Sequence, residues 1–254
     1  ASIYFLINAA AGEDTVNIED IHGDTTVNTA AGSDSVNVYA THAAAMINTG
    51  DDEDTVNIRT IDAGMEVNAG GADDTINVGS LVPDEGVNVN GIGALLTING
   101  DGGEDTLNVD DTGDDDPNTG NLTETTLTGL GMSDGILYET LEHLNIGLGL
   151  GGDDFTIEDT HAGETILSSL AGGDTIDVLA ISGVTIVNAG DDGDTINIQS
   201  IGAAMTANAG EGDDTINVGS LAPAAGGTVN HISGPLTING EGGFDTLTVD
   251  DTGD

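Results

Sequence analysis

Carboxylates recur along this chain of 254 residues at an interval that cation chemistry can use. They stand at Asp14, Asp34, Asp54, Asp74, Asp105, Asp134, Asp153, Asp174, Asp194, Asp214 and Asp245, and most steps between them are 20 or 21 residues. Most of these aspartates open the same phrase, as in Asp54-Thr55-Val56-Asn57-Ile58, Asp74-Thr75-Ile76-Asn77-Val78 and Asp194-Thr195-Ile196-Asn197-Ile198; Asp134 belongs to a weaker copy. An acid–base pair for catalysis occurs once, whereas an acid repeated in phase forms a column. If each repeat is one layer of a parallel stack, neighbouring carboxylates lie about 4.8 Å apart. At that distance two charges repel by about 3–4 kcal/mol at an effective dielectric of 20, and by about 1 kcal/mol in water. A divalent cation between layers converts the repulsion to attraction. Calcium suits such a column, because it accepts carboxylate and carbonyl oxygens in loose geometry where magnesium demands a tight octahedron. The competing reading is that each Asp simply forms its turn by bonding to local backbone.

The elements that must hold the column can be read from the same phrase. After each Asp come Thr, an aliphatic residue, Asn and an aliphatic residue, which is the period of a strand with one apolar face. Parity puts the Asp on the aliphatic side, so its carboxylate points into a corner rather than to water. A second short strand precedes the turn and ends in an Asn six residues before the Asp, at Asn8, Asn28, Asn48, Asn68, Asn99, Asn188, Asn208 and Asn239. Each rung of about 20 residues thus holds two short strands and two turns. Such a rung cannot bury a face alone, but stacked copies bury a continuous core. The expected fold is all-β, a parallel β-solenoid of the β-helix or β-roll kind, with Asn amides bonded from rung to rung. The longer steps, 74 to 105, 105 to 134 and 214 to 245, read as one rung plus a loop of about ten residues. Residues 137–150 could be helical through Leu137, Leu141 and Leu144, but Leu144, Ile146, Leu148 and Leu150 alternate, and we read strand. A longer period of 140 residues carries Asp34, Asp54, Asp74 and Asp105 onto Asp174, Asp194, Asp214 and Asp245. We therefore expect a repeat unit over 1–138 and a partial second over 139–254, in one continuous solenoid cut from a longer array. Gly70, Gly190 and Gly210 are expected to turn backbone carbonyls towards an ion. Asp110, Asp111 and Asp114, with their copies Asp250, Asp251 and Asp254, read equally as a second cation site or a solvated loop.

Composition narrows the partners. The net charge is -45, with Arg59 the single basic residue. Nucleic acid and anionic membrane surfaces are excluded, since both need a basic face. No apolar run is long enough to span a bilayer, and no charged-then-apolar leader opens the sequence. The absence of cysteine decides nothing about compartment. Hydrophobic residues make up 37% of the chain and fall in register, which argues against disorder and leaves a high-salt origin open. We expect no enzyme. A solenoid that cleaves acidic polysaccharide needs basic residues to bind it, and no unrepeated acid–base constellation exists. His22 and His161 occupy matching positions, while His42, His143 and His231 stand singly. None falls in a His-Glu-x-x-His spacing, so all five read as turn residues.

The turn Ala209-Gly210-Glu211-Gly212-Asp213-Asp214-Thr215-Ile216-Asn217 resembles the calcium-binding nonapeptide of the repeats-in-toxin β-roll, Gly-Gly-x-Gly-x-Asp-x-aliphatic-x. It matches at the second and fourth glycines, the Asp and the aliphatic residue, and Gly149-Leu150-Gly151-Gly152-Asp153 keeps a similar frame. Other turns depart: Gly50-Asp51-Asp52-Glu53-Asp54 puts acids in glycine positions, and Glu241 replaces the second glycine before Asp245. The family has two such turns per coil and this chain one. The wider pattern, including Gly135-Ile136-Leu137-Tyr138-Glu139, is similar to repeats of very large bacterial surface and secreted proteins. The resemblance implies an extracellular or cell-surface scaffold, a right-handed stalk, adhesin or filament-forming segment, carrying several Ca2+ ions at the column aspartates. Its partners would be its own kind, end to end, because a solenoid's open ends expose strand edges and residues 1–8 are the most apolar stretch. The alternative is an ice-binding or adhesive module. It would use the outward row Thr15, Thr55, Thr75, Thr106, Thr195, Thr215 and Thr246 with its Asn neighbours, a grid that Asp154, Asp177 and Thr248 interrupt.

Overall fold

A four-residue phrase such as Thr-Ile-Asn-Val buries its two aliphatics only if it is extended and stacked, and the computed structural model shows it so. The structure describes residues 3–83 and 87–254. Ala1 and Ser2, the start of the apolar stretch expected to dock on a neighbour, lie outside the described residues. Among the described residues all regular structure is β-strand, arranged as a parallel β-solenoid with a repeat of about 20 residues. Two compact units can be distinguished. One comprises the chain up to Asp111 with Thr126–Leu144, and the other Thr112–Thr125 with Asn145–Asp254. The two units interleave in sequence and do not coincide with the 140-residue repeat.

In the first unit the strands that follow the acidic turn stack in the order Thr15–Ile18, Ser35–Val38, Thr55–Ile58, Thr75–Val78 and Thr106–Asp110. Their register is that of the repeat: Val16 faces Val36, Val36 faces Val56, and Val56 faces Ile76. At the next step Ile76 faces Leu107, so the register skips the extra residues between Asp74 and Asp105, as the spacing predicts. The strands that precede the turn form the other sheet: Tyr4–Asn8, Asp24–Ala31, Ala45–Asp51, Met65–Gly71, Leu96–Gly102 and Ile136–Glu139. Thr126–Gly129 then pairs antiparallel to Ile136–Glu139, a reversal that the repeat does not announce. The rung also has a third contact row beyond the two expected strands, single bridges joining Ile21, Thr41, Ile61 and Ile92.

The second unit repeats the plan. Asp154–Ile157, Thr175–Val178, Thr195–Ile198, Thr215–Val218 and Thr246–Val249 stack after their turns, with Thr119–Leu122 beside the first. Glu164–Ser168, Thr185–Asn188, Met205–Asn208 and Leu236–Asn239 stack before them. Between 136 and 147 the chain forms two strands, Ile136–Glu139 and His143–Gly147, and no helix.

Burial follows parity. Val36, Val38, Ile58, Ile76, Val78, Leu107 and Val109 are buried in the first unit, and Ile176, Val178, Ile196, Ile198 and Ile216 in the second. The Asn rows bond as expected of stacked amides: Asn28 Nδ2 donates to Asn8 Oδ1 (2.7 Å), Asn48 to Asn28 (2.8 Å) and Asn68 to Asn48 (2.8 Å). A second row runs Asn37 to Asn17, Asn57 to Asn37 and Asn77 to Asn57. In the second unit Asp177 takes an Asn place and still accepts from Asn197 Nδ2, at 2.7 Å.

Candidate metal centre

The turn begins where the backbone must reverse against the rung beside it. Gly70 has φ +106°, and a Cβ there would lie 1.9 Å from Gly50 O; at Gly210 (φ +107°) it would lie 1.8 Å from Gly190 O. These glycines therefore permit rung-to-rung contact in the turn. The carbonyls of Gly190 and Gly210 also accept amides from the neighbouring turn: Glu211 N donates to Gly190 O and Gly242 N to Gly210 O, tying each turn to the next. The turns are stacked closely because the turn backbone is itself hydrogen-bonded.

That stacking aligns the aspartates. Each Oδ1 accepts the backbone N–H of the aspartate one rung earlier: Asp14 N to Asp34 (2.7 Å), Asp34 N to Asp54 (2.7 Å), Asp54 N to Asp74 (2.7 Å) and Asp74 N to Asp105 (2.9 Å). In the second unit the bonds run Asn118 N to Asp153, Asp153 N to Asp174, Asp174 N to Asp194, Asp194 N to Asp214 and Asp214 N to Asp245. The columns are thus inward, as parity requires, and Asp34, Asp54, Asp74, Asp105, Asp153, Asp174, Asp194 and Asp214 are buried. Asp14 is half-buried and Asp245 exposed.

The other oxygen is unsatisfied. Oδ2 of Asp14, Asp34, Asp54, Asp74, Asp105, Asp153, Asp174, Asp194 and Asp214 is buried without a hydrogen-bond partner; the Thr49 and Ser169 hydroxyls beside Asp54 and Asp174 temper the rise of those two carboxyls, but they donate to Ala69 O and Ala189 O. Charged groups in that state are costly unless paired or neutralised. Burial pushes Asp74 and Asp194 up to about 7, with neighbouring carboxylates adding to the rise and the accepted amide bond opposing it. Asp105 and Asp174 rise to about 6, and Asp54, Asp153 and Asp214 also rise, burial again being the main cause. The chain's one basic residue does not relieve them: Arg59 lies 4.5 Å over the Tyr39 ring and donates to Val82 O.

Asp134 stands apart from the columns. It is exposed and precedes Ile136–Glu139, a strand of the sheet that comes before the turn, because the antiparallel pair has shifted the phase. Its place is taken by Glu142, whose Oε2 accepts Asp105 N at 2.9 Å. The signal was present in Glu142-His143-Leu144-Asn145-Ile146, which is the repeat phrase with Glu for Asp.

Outer acids of the turns also accept backbone amides from neighbouring rungs. Gly32 N donates to Asp52 Oδ2, Glu104 N to Asp73 Oδ1 and Phe244 N to Asp213 Oδ1. The second candidate cluster serves as a loop clasp. Asp111 is buried and accepts Val89 N, while Asp250 accepts Gly226 N and Gly227 N, and Asp251 accepts Val229 N. Bonds from Thr252, with those backbone amides, hold the Asp250 carboxyl down at about 2.

Calcium needs six to eight oxygens. The donor set fits a hard cation, with orphaned carboxylate oxygens within the columns and further carboxylates at the turn surface; in one turn the His143 imidazole also stands 3.8 Å from the Glu104 carboxylate. A Cβ at Gly240 would come within 2.3 Å of Asp245 Oδ2; one at Gly100 would lie 2.6 Å from Asp105 Oδ2 and 2.2 Å from Thr140 O, so a backbone carbonyl already stands beside Asp105. No protein-family model, curated protein or solved structure matches the chain.

Proposed function

We propose that the chain is a structural scaffold, a stalk or filament-forming segment of an extracellular protein, and that calcium held at its acidic turns is part of its folded state. The observation that carries this reading is the nine buried, unpartnered Oδ2 atoms standing in register along two columns. A repeated acid that bonds backbone in every rung serves the whole length of a solenoid rather than one reactive point. Calcium would be held by the column aspartates Asp14, Asp34, Asp54, Asp74 and Asp105 in one unit. In the other it would be held by Asp153, Asp174, Asp194, Asp214 and Asp245. Asp51, Asp52, Asp73, Asp191, Asp192 and Asp213 at the turn surface would supply further oxygens. The ion would provide positive charge where the chain has none, and because it binds the stacked form, its binding energy becomes folding energy.

The ice-binding alternative is less favoured because its row is not uniformly open. Asn57 and Asn197 are buried where Asn37 and Asn77 are partly exposed.

The test is a calcium titration of chelated protein at low ionic strength and pH 7.5, followed by circular dichroism and calorimetry. Strand signal should be lost in chelator and return cooperatively, and replacing Asp194 and Asp214 together with Ala should shift the midpoint to higher calcium. A full β-signal retained in excess chelator overturns the calcium reading and leaves the aspartates as turn and amide acceptors.

A further inference from the structure

We infer that the first unit carries a second kind of metal site, for a borderline divalent ion such as Zn2+ or Cu2+, built from Asp20, His22 and His42 with Asp62 behind them. The site lies past the end of the post-turn strands, away from the acidic turn in each rung. There the bridges from Ile21 to Thr41 and from Thr41 to Ile61 lock three rungs in register. His42 N donates to Ile21 O at 2.8 Å and Asp62 N to Thr41 O at 2.9 Å, so positions 22, 42 and 62 form one column. Thr41 and Ile61 are buried, and the residues following them are exposed, which places the column at the surface. Asp20 sits at a bend just before the Ile21 bridge, and its Oδ1 reaches both His22 and His42.

The ligand atoms converge. One ligand atom each from Asp20, His22 and His42 lies within 4.8 Å of the others. His42 Nε2 is 3.1 Å from Asp20 Oδ1, and His22 Nδ1 is 3.9 Å from the same oxygen. The two imidazole rings lie 4.5 Å apart between centroids, tilted by 53°. Ligands about 2.0–2.2 Å from a zinc ion stand roughly 3.3 Å from one another in a tetrahedron, so small side-chain movements close the set. Asp62 Oδ2 contacts His42 Nδ1. This is the arrangement in which a carboxylate fixes the tautomer of a metal-bound histidine and leaves Nε2 for the metal. Imidazole nitrogen selects zinc, copper or nickel over calcium, so the site is chemically separate from the aspartate columns and independent of whether those bind calcium. Water would complete the coordination at this open surface. The ion would staple three rungs: Asp20 and His22 from one, His42 from the next, and Asp62 from the third.

The second unit supplies an internal comparison. Its matching positions keep Asp159 and His161 but have Ser182 and Gly202 in place of His42 and Asp62. His161 is buried and its Nδ1 accepts Gly163 N, while Asp159 Oδ2 accepts the Ser182 hydroxyl. The donors that would make a site are there turned to local bonds.

The experiment titrates the intact chain with Zn2+ by calorimetry in millimolar calcium, which competes with zinc for oxygen-only sites and not for imidazole. In parallel, Cu2+ is added at one equivalent and read by electron paramagnetic resonance on protein carrying 15N-histidine. One tight Zn2+ per chain is expected, weakened at least tenfold by His22→Ala or His42→Ala and about tenfold by Asp62→Asn; His161→Ala should leave it unchanged. The copper spectrum should show coupling to two imidazole nitrogens, a readout that needs no variant to fold. Zinc binding that is unaltered in the His22→Ala, His42→Ala double variant, or a copper spectrum without nitrogen coupling, overturns the site.

Discussion

At the scale of single residues the unusual group is the column aspartate, half satisfied by an amide and half orphaned. Because burial raises its folded value above the ordinary 3.8, the protonated form is favoured on folding. The resulting stability is present below about pH 4 and is lost as pH rises towards the folded values of about 6 to 7. Thermal melts of calcium-free protein should therefore show falling stability from pH 4 to pH 7.5. Calcium should remove that fall at the upper end. Asp74→Asn sharpens the point, since it keeps an oxygen for the Asp54 amide and discards the charge. Without calcium at pH 7.5 it should stabilise the fold by about 1–3 kcal/mol, and with calcium it should weaken ion binding. A variant that destabilises equally in both conditions would point to packing rather than charge.

At the scale of the element, two features set the rung: the turn glycine and the amide row. Gly70→Ala places a methyl against Gly50 O at a positive φ, whereas a Cβ at neighbouring Gly71 meets nothing closer than 3.9 Å. Urea denaturation should show Gly70→Ala costing about 1–3 kcal/mol more than Gly71→Ala. Asn48 donates to one neighbour and accepts from another. Asn48→Ala removes both bonds and leaves partners unpaired, at a cost of about 1–3 kcal/mol. The end of the row, Asn8, makes one such bond and should cost less. Equal losses at Asn8 and Asn48 would mean that the row contributes no cooperative bonding.

At the scale of the whole molecule, terminal strands leave apolar side chains uncovered. Ile3, Tyr4, Phe5 and Leu6 are exposed in the first unit, and Phe244, Leu247 and Val249 in the second, where Ile216 and Val218, the register partners of Leu247 and Val249, are buried. Unpaired strand edges with apolar flanks invite a like edge. Sedimentation in calcium should show concentration-dependent association of this chain, and Leu247→Lys with Val249→Lys should abolish it while circular dichroism keeps the strand signal. A chain that stays monomeric at hundreds of micromolar would rule out end docking.

Much of this was legible in sequence because the information is local and repeated. Period-two alternation set which side chains face inward, and the interval of 20 residues set the register, including the longer step from Ile76 to Leu107. The inward course of the column aspartates followed from the same parity. The second acidic cluster had two readings, a cation site and a solvated loop; the amides of Val89 and Val229 bonded to Asp111 and Asp251 are a role that neither reading named. Asp134 was misplaced and Glu142 missed because an antiparallel pair resets the phase, and no interval records a reversal of chain direction. Repeat counting also treated His42 as solitary, although stacking brings it against His22 and Asp62. Spacing along the chain determined the layers, their period and their buried faces. Only the tertiary structure decided which atoms meet between layers: Asp Oδ1 with a neighbour's amide, Oδ2 with none, and two histidines with two aspartates. Those contacts depend on distances of a few ångströms between residues a full rung apart, which periodicity constrains in register but not in side-chain direction.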